Sequence, residues 1–338
     1  MKILILKRDK LGDLLLTTPL FALLREHFPH ACIDLLASDY NGWVAAGNPH
    51  LDRIFLYRRV RIGRRFSPLA IGSQAWLFAR LLCKRYDFAI VAQGEDSPRA
   101  VTRALWTGAK RVISYAQVPQ RYGNRLTDAL VPPAEGHEAA RLLALLEPLG
   151  IRGKLIEVAP TFVLPQQAAT YAAQWLKTAG LTPGQYIVLG LGARRARKQP
   201  TATQLVRWVE RIHRQFGLSC VFMWTPGGKT NVLYPGDDAI AEPILQANPV
   251  GLVPFRGPLI PALGLIWNAK TSIFPDSGLM HFASASPGGV LGLFGDEPDF
   301  AQKWRPLGPR SRHLVAPLVA SIDDETVFEA LGGILESR

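Results

Sequence analysis

Short, nearly continuous apolar runs alternate along the chain with stretches whose apolar residues recur at helical spacing. The runs predict strands at 2–7, 31–36, 53–57, 87–92 and 110–114, and again at 186–191, 219–224, 249–253, 271–275 and 289–294. Between them, 13–28, 73–85, 137–149, 203–216 and 258–268 read as amphipathic helices. The C-terminal DDETVFEALGGILESR reads as a helix whose acidic first turn suits the positive helix end. Strands that do not alternate with polar residues are buried on both faces, so the pattern predicts an α/β fold of parallel sheets covered by helices. The segment 151–167, IRGKLIEVAPTFVLPQQ, lacks helical periodicity and carries two prolines. It reads as the tail of one domain and a linker. The expectation is two doubly wound, Rossmann-like domains, 1–160 and 161–338, with the C-terminal helix free to pack back on the first. Ligands of such sheets bind beyond the carboxyl ends of the strands, and two facing domains form a cleft, so the loops after strands rank first as sites.

Composition fits this picture. The 338 residues are 48% hydrophobic and 20% charged, enough apolar material for two cores. No apolar run approaches the roughly 20 residues that span a bilayer. The opening MKILILKRDK returns to charge after four apolar residues, unlike a signal peptide. Three scattered cysteines, Cys32, Cys83 and Cys220, form no CxxC or Cys/His cluster, so neither a disulfide frame nor a structural zinc is expected, and a reducing cytoplasm fits. The net charge of +12 is uneven: residues 1–155 hold 23 Lys+Arg against 13 Asp+Glu. Much of the excess lies in RIFLYRRVRIGRRF, Arg53 to Phe66. A basic half suits an anionic partner (nucleic acid, phosphorylated lipid or a membrane surface) or is simply a solvated face.

Three loops after strands carry candidate chemistry. In KRDKLGDLLLTTP, Gly12 is expected to turn the chain and Asp13 to begin a helix. There Asp13 serves either as a cap for free backbone N–H groups or as a general base facing the cleft. Lys7, Arg8 and Lys10 beside it would attract an anion. A single glycine is no dinucleotide fingerprint. In LGLGARRARKQPTATQLVRW, Gly190 and Gly192 allow a tight turn, and Arg194, Arg195, Arg197 and Lys198 crowd the loop, which invites a diphosphate. In SIFPDSGLMHFASASPGGVLGLFG, Asp276, Ser277 and Gly278 turn a strand into a helix carrying His281. The choice there lies between a capped, packed helix and a phosphate site. A fourth segment, WTPGGKTNVLYPGDDAIAE, lacks the first glycine of a phosphate-binding P-loop because position 223 is Met.

Together these segments resemble the ADP-heptose:lipopolysaccharide heptosyltransferases, glycosyltransferase family 9. The resemblance is carried by ILILKRDKLGDLLLTTPLFALLREHFP, by GARRARKQP with Lys198 and Pro200, and by PDSGLMHFASASPGGVLGLFG, in family order. It implies a GT-B architecture, two Rossmann-like domains around a cleft, with the acceptor on the first domain and the ADP-sugar donor on the second. It implies inversion at the anomeric carbon with Asp13 as general base, and neither a cofactor nor a bound metal. Arg194, Lys198, Asp276, Ser277, Gly278 and His281 fall to the donor, and Lys7, Arg8, Lys10 and Gly12 to the acceptor or an anion. The acceptor is then a phosphorylated lipopolysaccharide core, reached by a cytoplasmic protein with peripheral contact at the inner membrane. Two departures bear on the donor. Gln199 replaces the usual aromatic between the lysine and the proline, and 224–242 is longer than expected where an acidic ribose contact belongs, a role open to Asp237 or Asp238. The alternative is a GT-B enzyme for a different sugar nucleotide, either another transferase or an epimerase. A nucleic-acid partner is not expected, since no recognition motif accompanies the charge.

Overall fold

The computed structural model describes all residues except 59–60, 63–64, 67, 153–158, 194, 229–235 and 338, and gives only the backbone at 61–62, 65–66 and 68–69. In chain order its strands are β1 (Lys2–Lys7), β2 (Cys32–Ser38), β3 (Arg53–Tyr57), β4 (Arg61–Ile62), β5 (Arg65–Phe66), β6 (Phe88–Val91), β7 (Arg111–Tyr115) and β8 (Asp128–Leu130). They continue with β9 (Tyr186–Gly190), β10 (Ser219–Met223), β11 (Leu252–Phe255), β12 (Thr271–Pro275), β13 (Val290–Gly295) and β14 (Ser311–Ala316). One sheet has the order β3-β2-β1-β6-β7-β8, the other β11-β10-β9-β12-β13-β14, and β4 and β5 form a small antiparallel hairpin. Every neighbouring pair in the two large sheets is parallel. Ranked within its own sheet, each set reads 3-2-1-4-5-6, the doubly wound order. The fold is α/β, as the apolar runs predict.

The chain divides into two compact units, Met1–Ile156 with Pro160–Val163, and Glu157–Ala159 with Leu164–Arg338. Pro160–Val163 is held in the first unit: the Thr161 N–H donates to the Thr18 hydroxyl at 2.8 Å, and Phe162 meets Trp43 edge-on. The helix Gln166–Thr178 follows directly. In the first unit, Leu4, Leu6, Leu77, Leu81, Val91 and Val101 are buried in one cluster. In the second, Ile187, Leu189, Trp208, Phe222, Leu293 and Leu331 do the same, and the C-terminal helix Asp324–Glu336 adds Val327, Phe328 and Ile334. Each such side chain contributes about 1.5–3 kcal/mol on burial.

Several expectations change, among them the helix over 137–149, which ends at Ala144 and is followed by a 3₁₀ turn at Glu147–Leu149. The helix 13–28 is two helices, Leu11–Leu15 and Thr18–His27. Pro19 has no N–H for the Leu15 carbonyl, which accepts the Thr18 hydroxyl at 2.8 Å instead. Each sheet also gains a sixth strand. β8 has three residues, and β14 is a half-exposed edge, so neither shows an apolar run. Among the described residues no helix is long and apolar enough to cross a membrane.

Candidate active site

In each sheet the chain leaves the first strand toward one edge and later returns to its other side. The carboxyl ends of β1 and β6, and of β9 and β12, therefore flank the two topological switch points where doubly wound sheets take ligands.

At the first switch point, Lys7 closes β1 and Arg8–Lys10 lead into Leu11–Leu15. Asp13, half-buried, is the third residue of that helix. Its Oδ2 accepts the Lys10 backbone N–H at 3.0 Å, and the Thr17 hydroxyl donates to its carbonyl at 2.8 Å. The capping role is thus met by one carboxylate oxygen. Gly12 is buried inside the helix and lacks a positive φ, so the turn is made by the three residues before it. The three expected cations go separate ways. Lys7 is buried with its Nζ 3.5 Å from Asp9, Arg8 lies 4.8 Å over the Tyr57 ring, and Lys10 is exposed. Arg103 also faces Tyr57, at 5.1 Å.

The loops after β6 and β7 at the same sheet edge build a feature that the sequence reading missed. A cavity of about 400 Å³ is lined by Arg99, Thr102, Arg121, Tyr122 and Arg125, with Pro98 and Leu105. The three arginines are exposed and, among the described residues, have no carboxylate partner. They come from a helix and a 3₁₀ segment about twenty residues apart in sequence, so no local run announces them. Glu138, buried, lies against the backbone at Gly94, just after β6.

At the second switch point, the 3₁₀ turn Ala196–Lys198 follows β9. The Lys198 side chain is 10% exposed. Its ammonium is ion-paired with Asp276 at the end of β12, and with Asp296 just past β13 at 3.4 Å. It also lies 4.2 Å from the centre of the Phe300 ring. Arg197 reaches the same Asp296 oxygen at 2.9 Å. Burial works against ionisation of Asp296, but the Glu297 N–H, Lys198 and Arg197 outweigh it and hold the carboxyl below its ordinary range. This approach needs Gly295, where a Cβ would collide with the Arg197 carbonyl. Asp296 was missed in sequence because it lies one residue beyond the quoted motif, although its place after a strand is a signal. Gly190 and Gly192 have no positive φ, so neither makes a glycine turn. Gly190 instead leaves room for the Phe274 ring.

Ser277 is the N-cap of the helix Gly278–Ser284, yet it makes no capping bond, and its shielded hydroxyl has no hydrogen-bond partner among the described residues. His281 is buried on that helix and Gly278 is exposed. Arg194 lies outside the described residues, as does 229–235 of the long fourth segment. Both acids considered for a ribose are engaged. Asp237 accepts the Gln199 amide at 2.7 Å. Asp238 accepts Trp224 Nε1 at 2.8 Å and the Gly227 N–H at 2.9 Å, bonds that hold its carboxyl low. Among the described residues no group of three or more His, Cys, Asp or Glu is placed to hold a metal ion.

Two doubly wound sheets, each with charged loops at its switch point, define a fold class that the comparisons identify. Over nearly its whole length the chain superposes on a glycosyl transferase family 9 structure from Veillonella parvula (TM-score 0.81, 18% identity, 99% of this chain and 97% of that one). It superposes likewise on the Escherichia coli ADP-heptose LPS heptosyltransferase II (0.72, 21%, 99% and 98%) and on E. coli heptosyltransferase WaaC with ADP (0.74, 15%, 99% and 100%). This is the GT-B class of glycosyltransferases. The family model for glycosyltransferase family 9 (heptosyltransferase) matches residues 75–328, and the chain belongs to that family. The protein is a glycosyltransferase. A comparison with curated proteins found no match.

Proposed function

We propose that this glycosyltransferase moves a heptose from ADP-heptose to a phosphorylated lipopolysaccharide inner-core acceptor, with inversion and with Asp13 as general base. In this reading the N-terminal domain takes the acceptor and the C-terminal domain takes the ADP-sugar. The observation that carries it is the switch-point chemistry: a carboxylate at the start of a helix after β1, and a buried lysine after β9.

The chemistry follows from those groups. An acceptor hydroxyl attacks the anomeric carbon, its proton passes to the Asp13 carboxylate, and the bond from that carbon to the diphosphate oxygen breaks, releasing ADP. Base assistance of this kind contributes about 10²–10⁴-fold. Lys198, fixed by Asp276 and Asp296, faces the charge that grows on the diphosphate, and Arg194, Ser277, Gly278 and His281 complete the donor site. The arginine-lined cavity of Arg99, Arg121 and Arg125 suits acceptor phosphates. Peripheral contact with the inner face of the inner membrane belongs to the same reading.

The deciding experiment is Asp13→Asn. Transfer from ADP-heptose is expected to fall by about two to four decades while calorimetric ADP affinity stays unchanged. Full transfer in the variant would sink the base assignment. One observation favours a second reading, a different sugar nucleotide: Gln199 is buried and tied to Asp237 and to the Leu191 carbonyl at 3.3 Å, where the family resemblance leads one to expect an aromatic. Titration with ADP, UDP and GDP sugars separates the two, and preference for a UDP-sugar would favour the second.

A further inference from the structure

The helix Pro68–Lys84 in the first unit has an outer face of the wrong polarity for water. Its inner side buries Ala70, Leu77 and Leu81. On its outer side Ile71, Gly72, Ala75, Trp76, Ala79, Arg80, Leu82 and Cys83 are exposed. At 3.6 residues per turn these eight positions occupy one continuous half of the helix. Only Arg80, at the edge of that half, is charged. A surface helix normally turns polar residues outward, and a helix apolar on both sides has a second non-aqueous neighbour. Trp76 is 62% exposed and Leu82 53%. The patch continues onto the next helix. Leu82 lies against Gly108, and Trp106, itself 53% exposed, meets Phe78 edge-on at 5.4 Å.

The stretch of chain that leads into and through this helix carries charge of one sign. From Arg53 to Tyr86 the chain carries nine Lys and Arg and no Asp or Glu. Arg53, Arg58, Arg80 and Arg85 are exposed, and among the described residues none of them is ion-paired. Arg80 lies 4.7 Å over the Trp76 ring and 5.4 Å over Phe55, its charge at the rim of the patch. A second copy docking by the same face would press these cations together, because a two-fold contact sets like surface on like. A surface that offers both hydrocarbon and negative charge satisfies every part of the patch. Tryptophan rings sit well at such a boundary, and arginines reach anionic headgroups from it.

We propose that the outer face of Pro68–Lys84, with Trp106 and the surrounding arginines, docks this unit on an anionic lipid surface, the helix lying in the plane of the interface. The proposal deepens the reading above, in which the acceptor is lipid-anchored. Vesicle binding is measured without donor or acceptor, so each reading fails by its own measurement.

The test uses the full chain and vesicles of phosphatidylglycerol with phosphatidylcholine, against phosphatidylcholine alone. Binding by co-flotation is expected on the anionic vesicles, weaker on the neutral ones, and reduced when salt rises from about 0.1 M to 0.5 M. The double variant Trp76→Ser/Leu82→Ser, checked for an unchanged circular dichroism spectrum, is expected to bind at least about tenfold more weakly. A second measurement leaves the surface intact. In a Cys32→Ser background, an environment-sensitive dye on Cys83 is expected to shift to the blue on anionic vesicles, Cys220 being buried and out of reach. Absence of vesicle binding, equal binding by the double variant, or a silent dye while binding persists would each overturn the proposal. So would a dimer, seen by sedimentation, that the double variant abolishes, because the face would then hold a second copy.

Discussion

The two sheets share a strand order and differ in how they hold charge at the same topological position. After β1, Asp13 is half-buried and tied down by one backbone N–H. After β9, Lys198 is buried between Asp276 and Asp296, with Arg197 on the second of them. One switch point presents a lightly restrained carboxylate, the other a cation whose position is fixed by two carboxylates. The difference teaches what each can do. On the proposed roles, a group that must accept a proton is left lightly restrained. A group that only has to stand opposite a growing negative charge is held in place beforehand, which avoids reorganisation at the moment of reaction.

The largest expected effect sets the two apart by activity. Asp13→Asn should cost about 10²–10⁴ in transfer rate with little change in stability, since the asparagine oxygen still accepts the Lys10 N–H. Equal losses of ADP affinity and of rate would erase the contrast. The next effect is on stability. Lys198→Ala leaves two carboxylates facing each other in a buried site and should destabilise the protein by about 3–5 kcal/mol in urea titrations. A loss near that of Asp13→Asn would show the cluster to be loosely held.

The third expectation is a pH dependence. The folded Asp296 carboxyl lies below the ordinary aspartate value of 3.8. The unfolded state therefore binds the proton first. The stabilisation is fully present above that value and is lost as pH falls through the lower folded value. Asp296→Asn should flatten this part of the acid-unfolding curve, and an unchanged slope would place the acid sensitivity elsewhere. The smallest effect concerns the departure at Gln199. Gln199→Leu removes the bonds to Asp237 and the Leu191 carbonyl and should cost about 1–3 kcal/mol in the same titrations, the range for leaving a buried acceptor unmet. If ADP affinity also falls by more than tenfold, Gln199 touches the donor as well as its neighbour.

Much of this was legible in the residues. The strands around β1 and β9 were found to within a few residues because Ile3–Leu6 and Tyr186–Leu189 are buried on both faces and leave no polar position to blur them. The edge strands β8 and β14 were not, because half-buried edges have no such run. The helices Pro98–Trp106 and Pro298–Trp304 were also missed, because each is short and its apolar positions span too few turns to set a period.

The sequence by itself determined the α/β class and the loops that follow the first strand of each sheet, since these depend on patterns within some thirty residues. It also marked Asp13, Lys198 and Asp276 as residues of interest. Only the tertiary structure decided which of them meet. Lys198 and Asp276 are 78 residues apart and pair because β9 and β12 are neighbours in the sheet. Asp296 joins them because β13 comes next, and Lys7, Arg8 and Lys10 part company because one side chain is buried beside Asp9, one lies over a ring and one is exposed. Charge attraction has no sequence period, so pairings between distant charges are settled by where the strands and helices lie in the fold.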